Sequence, residues 1–183
     1  MTRIQKNIFI VATSCSLLAL GGCAAPADPS KMVVQPTQEA IKFPPALNQA
    51  MCVRKVDGGE TTNPMWASKV SNQDFKAALV KSMNDAGLNA ASDDACKYHV
   101  DVSLLGLSQP ALGLDITVTS HVNYKVYDPN DQPVALETIN AEYTAKFSDA
   151  FVGTTRLKLA NEGSIRESIS QFFGKLRAAK QFQ

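Results

Sequence analysis

Charge of one sign is the first thing this chain lacks. Its 183 residues carry 18 basic and 17 acidic side chains, with no basic stripe and no block of like charge. The long-range field that gathers nucleic acid or draws a protein onto anionic lipid is therefore missing, which excludes nucleic acid as a partner. Long apolar runs are equally scarce. Beyond Leu20 no stretch is long or apolar enough to supply the ~20 residues that span a bilayer. Phosphate-cradling chemistry is absent too: Asp57-Gly58-Gly59-Glu60 lacks the Gly-rich pattern and the lysine that should follow. No helical H-E-x-x-H occurs, and the four cysteines include no C-x-x-C pair. We expect no cofactor and no enzyme.

The first 22 residues follow a different logic from the rest. Met1 to Asn7 carries Arg3 and Lys6 and no acid, Ile8 to Leu20 is an apolar run diluted by Thr13, Ser14, Cys15 and Ser16, and Gly21 and Gly22 follow. That is the order of a secretory signal, whose removal would leave 16 basic against 17 acidic residues. Leu20-Gly21-Gly22-Cys23 resembles the lipobox of bacterial lipoproteins. The resemblance implies cleavage before Cys23, a thioether-linked diacylglycerol on its sulfur and an acyl chain such as palmitate on its new amino group. Several chains matter, because one acyl chain alone holds a membrane only marginally. Ala24 after the cysteine implies the outer membrane, with the protein facing the periplasm.

From Ala24 to about Pro45 the prolines Pro26, Pro29 and Pro36 among scattered polar residues predict a flexible linker, able to hold the domain away from the bilayer. One domain over residues 46–177 follows, with a short tail at 178–183. Its first strand, within Ala46 to Val56, has two competing apolar phases. Ser71 to Gly87 predicts a helix with Ser71 as cap, Asp74 as its box partner and a Val70–Phe75 staple. Strand alternation over Tyr98–Leu105 and Leu114–Val126 predicts a hairpin closing about Pro110, with Val102 opposite Val118 and His99 opposite His121. The phase slip between Val134/Leu136 and Ile139/Ala141 predicts a β-bulge at Glu137 or Thr138. A helix from about Thr154 to Arg177 closes the chain, with Gly163 costing it about 1 kcal/mol. The expected fold is α+β: a two-layer sandwich of order β-α-β-β-β-α, a mostly antiparallel four-stranded sheet with both helices on one face and the other face open.

This order, the stretch after Cys23, the strand end Tyr124-Lys125-Val126-Tyr127-Asp128-Pro129-Asn130 and the long terminal helix are together similar to small envelope lipoproteins. The likeness extends to the accessory lipoprotein of the lipopolysaccharide-assembly machine and to auxiliary lipoproteins of lipid-transporting ABC systems. It implies a scaffold or lipid-contacting subunit with an envelope protein as partner.

Four groups of residues are candidates for function. Cys52 and Cys96 are the cysteines left after export, where such a pair reads as a disulfide, with redox thiols or metal ligands as rivals. His99, Asp101 and His121 offer three metal ligands if the hairpin brings the histidines together, and otherwise are polar residues of an exposed face. That face, comprising His99, Asp101, Ser103, Thr117, Thr119 and His121, is the candidate partner surface. Trp66 either packs under the first helix or anchors a partner from its loop. A lipid or glycolipid held between helices and sheet is the alternative function.

Overall fold

The structure, a computed structural model, describes residues 24–35, 42–65, 67–110 and 113–183. Its elements are α1 (Pro29–Met32), β1 (Met51–Asp57), α2 (Asn72–Asp85), β2 (Tyr98–Ser108), β3 (Ile116–Tyr127), β4 (Pro133–Ala145) and α3 (Gly153–Ala178). The strands form one sheet in the order β1-β2-β3-β4, with β1 parallel to β2 and the other pairs antiparallel. Both long helices cover one face, giving the two-layer α+β sandwich expected from the alternation. Among the described residues no helix is long and apolar enough to cross a membrane.

Local chemistry sets the helices. Ser71 Oγ accepts the Asp74 N–H at 3.1 Å and bonds the Asp74 carboxylate at 2.6 Å, while Val70 and Phe75 are both buried at the staple positions. Helix α3 meets the sheet through small residues. Gly163 lies against the Tyr143 ring, Ser120 Oγ donates to Ser164 O at 3.0 Å, and the Tyr124 hydroxyl bonds Ser168 Oγ at 2.9 Å. That close approach lets Tyr124 stack on Phe172 at 4.2 Å in the centre of the core.

The hairpin register differs from expectation. Val102 pairs with Tyr124, not Val118, and His99 pairs with Tyr127, not His121. The two strands are joined by the stretch from Gln109 to Asp115, at whose start Gln109 Nε2 donates to Ser68 O and Asn161 Oδ1. A bulge at Leu105 shifts the register once more and leaves that side chain exposed. In β4 the pairing runs unbroken through Glu137 and Thr138, so the bulge expected there is absent. The irregularity falls at Val134, and Leu136 stays exposed opposite Lys125. In β1 a bulge at Arg54 reconciles the two competing phases: Met51 and Val53 are buried before it and Val56 is half-buried after it.

Part of the expected linker packs on the domain. Residues 24–34 lie on the domain, with Ala24, Ala27 and Met32 buried. Asp28 caps α1 by accepting the Ser30 N–H, Pro29 follows in the first turn, and Met32 joins the core between α2 and α3. Hydrogen bonds from Asp28 N to Glu162 Oε1 (2.7 Å) and from Val34 N to Ser82 Oγ (2.9 Å) fix its course. In the short tail at 178–183, Phe182 is buried edge-on against Tyr98 at 5.2 Å.

Candidate functional site

Alternation in three antiparallel strands sends one set of side chains into the core and the other onto the uncovered face. On that face Arg54 is a hub. The β1 bulge turns it outward, and its guanidinium grips the Asp101 carboxylate through Nε (2.9 Å) and Nη2 (2.8 Å). Nη1 reaches Asp131 at 2.7 Å, and the group stands 4.7 Å above the Tyr127 ring. Hydrogen bonds to the two carboxylates raise the already high pKa of Arg54, so it stays charged. One cation thereby ties the β1 edge to β2 and to the β3–β4 turn. Below it, the Lys55 ammonium at 2.7 Å and a bond to Ser103 hold the Asp57 carboxyl below its ordinary range.

A second network lies towards the other end of the same face. His121 Nδ1 faces Asn140 Oδ1 at 2.8 Å and its Nε2 faces Ser108 Oγ at 2.9 Å. Thr117 and Thr144 share a hydrogen bond of 2.8 Å, as do Thr138 and Asn123. The serine, imidazole and amide are in the order of a nucleophile, a base and its orienting group. Asn140 is neutral, and Ser108 is the last residue of β2 to pair with β3, opposite Thr119.

The six residues expected on the face are all half-buried on it, but in two groups. His99, Asp101 and Ser103 stand opposite Tyr127, Lys125 and Asn123, whereas Thr117, Thr119 and His121 stand opposite Thr144, Glu142 and Asn140. From Tyr127 to His121 is about 20 Å of strand, so His99 and His121 cannot share an ion whose ligands lie ~2 Å from it. Asp101 is in any case occupied by Arg54. The metal candidate His99, Asp101 and His121 is withdrawn. Arg54 and Asp131 escaped the sequence reading because one depends on a bulge and the other on a turn residue with φ of 58°. Cys23 and Trp66 lie outside the described residues.

Cys52 and Cys96 form a disulfide, with Cα atoms 5.8 Å apart. Parallel pairing sets Cys52 beside His99, so Cys96 just ahead of β2 meets it across the start of the sheet. Among the described residues, the group close enough to share a metal is Cys52, Asp93 and Cys96, and two sulfurs bonded to each other are not thiolate ligands. The space between helices and sheet, where a lipid cleft was expected, is filled by Tyr124, Phe172, Phe173, Met83 and Leu79. A groove of about 400 Å³ opens instead at the β1 edge, lined by Cys52, Arg54, Lys76, Asp93 and His99.

The sequence matches no family model and no curated protein. Among solved structures the chain is similar to a Xanthomonas campestris protein of the family DUF330, at 13% identity and a TM-score of 0.57, over 87% of this chain and 95% of that one. It is also similar to a candidate lipoprotein from Caulobacter crescentus (10% identity, TM-score 0.47, 73% of this chain and 90% of that one). A protein from Chlamydia trachomatis gives 13% identity and a TM-score of 0.45 over 70% and 96%. At such identities the likeness to the Xanthomonas protein establishes the fold, a helix-covered four-stranded sheet, and leaves function to the chemistry of the chain itself.

Proposed function

We propose that this chain is a lipoprotein anchored in the outer membrane through Cys23, and that it acts without catalysis as an accessory or scaffold subunit in envelope assembly or transport. The observation that carries the docking role is the uncovered sheet face. A sheet with one face against helices leaves the other for water or a partner, and here its side chains are fixed in advance by cross-strand bonds from Arg54, His121, Thr117 and Thr138. A surface ordered before contact loses less side-chain entropy on binding. The lipobox likeness supports the anchor, and Ala24 supports the outer membrane. The lipid-binding alternative has no such support, since the interlayer space is occupied by core side chains.

The test is complementation. Thr119→Arg and Asn123→Arg should fold, reach the membrane fraction and yet fail to repair the envelope defect of a strain lacking the gene, because bulk and charge at the centre oppose close approach. Full complementation by both would reduce the face to a solvated surface. Labelling of Ser108 by a fluorophosphonate in the native protein, lost in His121→Ala, would overturn the non-catalytic reading.

A further inference from the structure

Four large apolar side chains, Leu114, Phe147, Phe151 and Val152, stand exposed where β3 begins and β4 gives way to α3, and Met65 stands exposed on the turn that receives Ala24. Met65 is 89% exposed, Phe151 79% and Leu114 73%. They sit on the Asn63–Met65 turn, at the start of β3 and on the loop between β4 and α3. The last two segments are bound together. Arg156 donates to Ala150 O (2.6 Å), Phe151 O (2.9 Å) and Gly113 O, while Asp115 Oδ1 accepts the Phe147 N–H at 2.9 Å. Phe147 and Phe151 meet edge to face at 5.4 Å. The backbone that carries these side chains is thus tied down at several points. Among the described residues the other two exposed large apolar side chains, Leu105 and Leu136, stand singly on the sheet.

The N-terminal segment leads to the Met65 turn. It runs beside α3: Lys31 O accepts from Arg166 at 2.6 Å and Asp28 N donates to Glu162 at 2.7 Å, so the chain read backwards moves towards the start of the helix. Ala24 lies four residues further back, a reach of up to ~13 Å, and the helix from Glu162 to Gly153 measures about 13 Å. Ala24 N donates to Pro64 O at 2.9 Å, next to Met65, and Ala24 is itself buried. Ala24, the first described residue, is thus held beside Pro64 and Met65, and in the sequence Cys23 precedes it by one peptide bond.

From this convergence we infer that the domain sits with this end in the bilayer surface, Phe151, Val152, Leu114 and Met65 entering the interface beside the acyl chains of Cys23. The occupant of the apolar patch is lipid because the chain delivers its own lipid there. An interfacial segment buries its apolar side ~5–10 Å into the headgroup and acyl boundary, a depth that loop tips of this size can reach. The inference rests on the lipidation of Cys23 proposed above.

The test uses the full acylated protein in vesicles of phosphatidylethanolamine and phosphatidylglycerol with brominated acyl chains. In a Trp66→Phe background a single tryptophan replaces Phe151, Leu114 or Leu136. Fluorescence at 151 and 114 should fall at least twofold with a blue shift, while that at 136 should not change. Unquenched tryptophan at both tip positions in acylated protein overturns the seating and leaves lipidation standing. A mass lacking acyl chains on Cys23 overturns the lipidation, and the seating falls with it. Hydrogen exchange on the unaltered chain gives a second reading: amides 147–152 should exchange at least tenfold more slowly on vesicles than in the Cys23→Ser protein, and equal rates would refute the contact.

Discussion

Gly163→Ala should destabilise this protein, although in an isolated helix the same change stabilises. Alanine is preferred over glycine in a helix interior by about 1 kcal/mol. Against that, a Cβ at position 163 would fall within 3.0 Å of Cγ and Cδ1 of Tyr143, atoms next to the ring's attachment that cannot swing aside without moving the whole side chain. Overpacking of this kind costs about 1–3 kcal/mol. Displacing the ring also disturbs Arg166, which lies 5.3 Å from its centroid, a contact worth about 0.5–1 kcal/mol at an exposed site. The net loss is about 0.5–3 kcal/mol, which for a domain of this size lowers the melting temperature by roughly 1–12 °C. The decisive assay is the double-mutant cycle with Tyr143→Ala, followed by thermal and urea unfolding. With the ring removed, Gly163→Ala should reverse sign and stabilise by up to ~1 kcal/mol. A higher melting temperature for Gly163→Ala alone would refute the reasoning and return Gly163 to a mere weak point in the helix.

Reduction of Cys52–Cys96 should lower stability by about 4 kcal/mol, the chain entropy of a 44-residue loop, and the melting temperature by on the order of 10 °C; two freely alkylated thiols in the oxidised native protein would contradict the bridge. Met32→Ala should free residues 24–34 from the groove between α2 and α3, with up to ~2–5 kcal/mol of packing lost locally, read as new protease cleavage there at an almost unchanged global melting temperature. No change in cleavage would restore the flexible linker. Burial raises the Glu162 carboxyl above its ordinary 4.5, more than its bonds to Asp28 N–H and Lys158 lower it. A raised folded-state pKa means that the folded state holds the proton more tightly than the unfolded, so stability declines as pH rises from about 4.5 through the raised value. Glu162→Gln should therefore gain on the wild type across that window in urea unfolding, and parallel curves would refute it.

Regular periodicity made the sandwich legible, while its exceptions were not. The alternation through Ile116–Val126 and the spacing of Ile165, Ile169, Phe172 and Leu176 each carry many residues to one face, so tertiary packing could only agree with them. Register rests on single residues. Every pair of the β2–β3 hairpin differs from the expected one, and Gln109 at its turn is held by Asn161 from a helix over fifty positions away, a contact that no local pattern announces. The same holds for the candidate face: its membership followed from parity, but the Arg54–Asp101–Asp131 cluster followed from a bulge and a turn. The Ala24–Val34 segment misled by composition. Its prolines read as linker, whereas Asp28-Pro29 is a cap and first turn, and Ala24, Ala27 and Met32 supply the buried side.

A short, docked N-terminus changes what the open face can meet. A linker of twenty free residues would let the domain wander up to ~66 Å from its anchor and present its sheet in any direction. A segment pinned by Glu162, Ser82 and Pro64 instead holds Ala24 on the domain, so that the anchor proposed at Cys23 would have no free linker behind it. With the proposed apolar end on the bilayer, the strands would stand away from the membrane and the polar face would look sideways along it. In that seating Thr117, Thr119 and His121 would lie nearest the lipid, with the Arg54 cluster about 14 Å or more above them by strand rise. A partner that fills such a face must itself stand beside the membrane, with hydrogen-bonding groups low on its wall and charge complementary to Arg54, Asp101 and Asp131 higher up. Reinsertion of a long Gly/Ser spacer between Cys23 and Ala24 is the direct probe: it keeps the anchor and the face but frees their relative position. Loss of complementation with membrane fractionation and fold intact would assign function to that fixed geometry, and full activity with the spacer would assign it to the face alone.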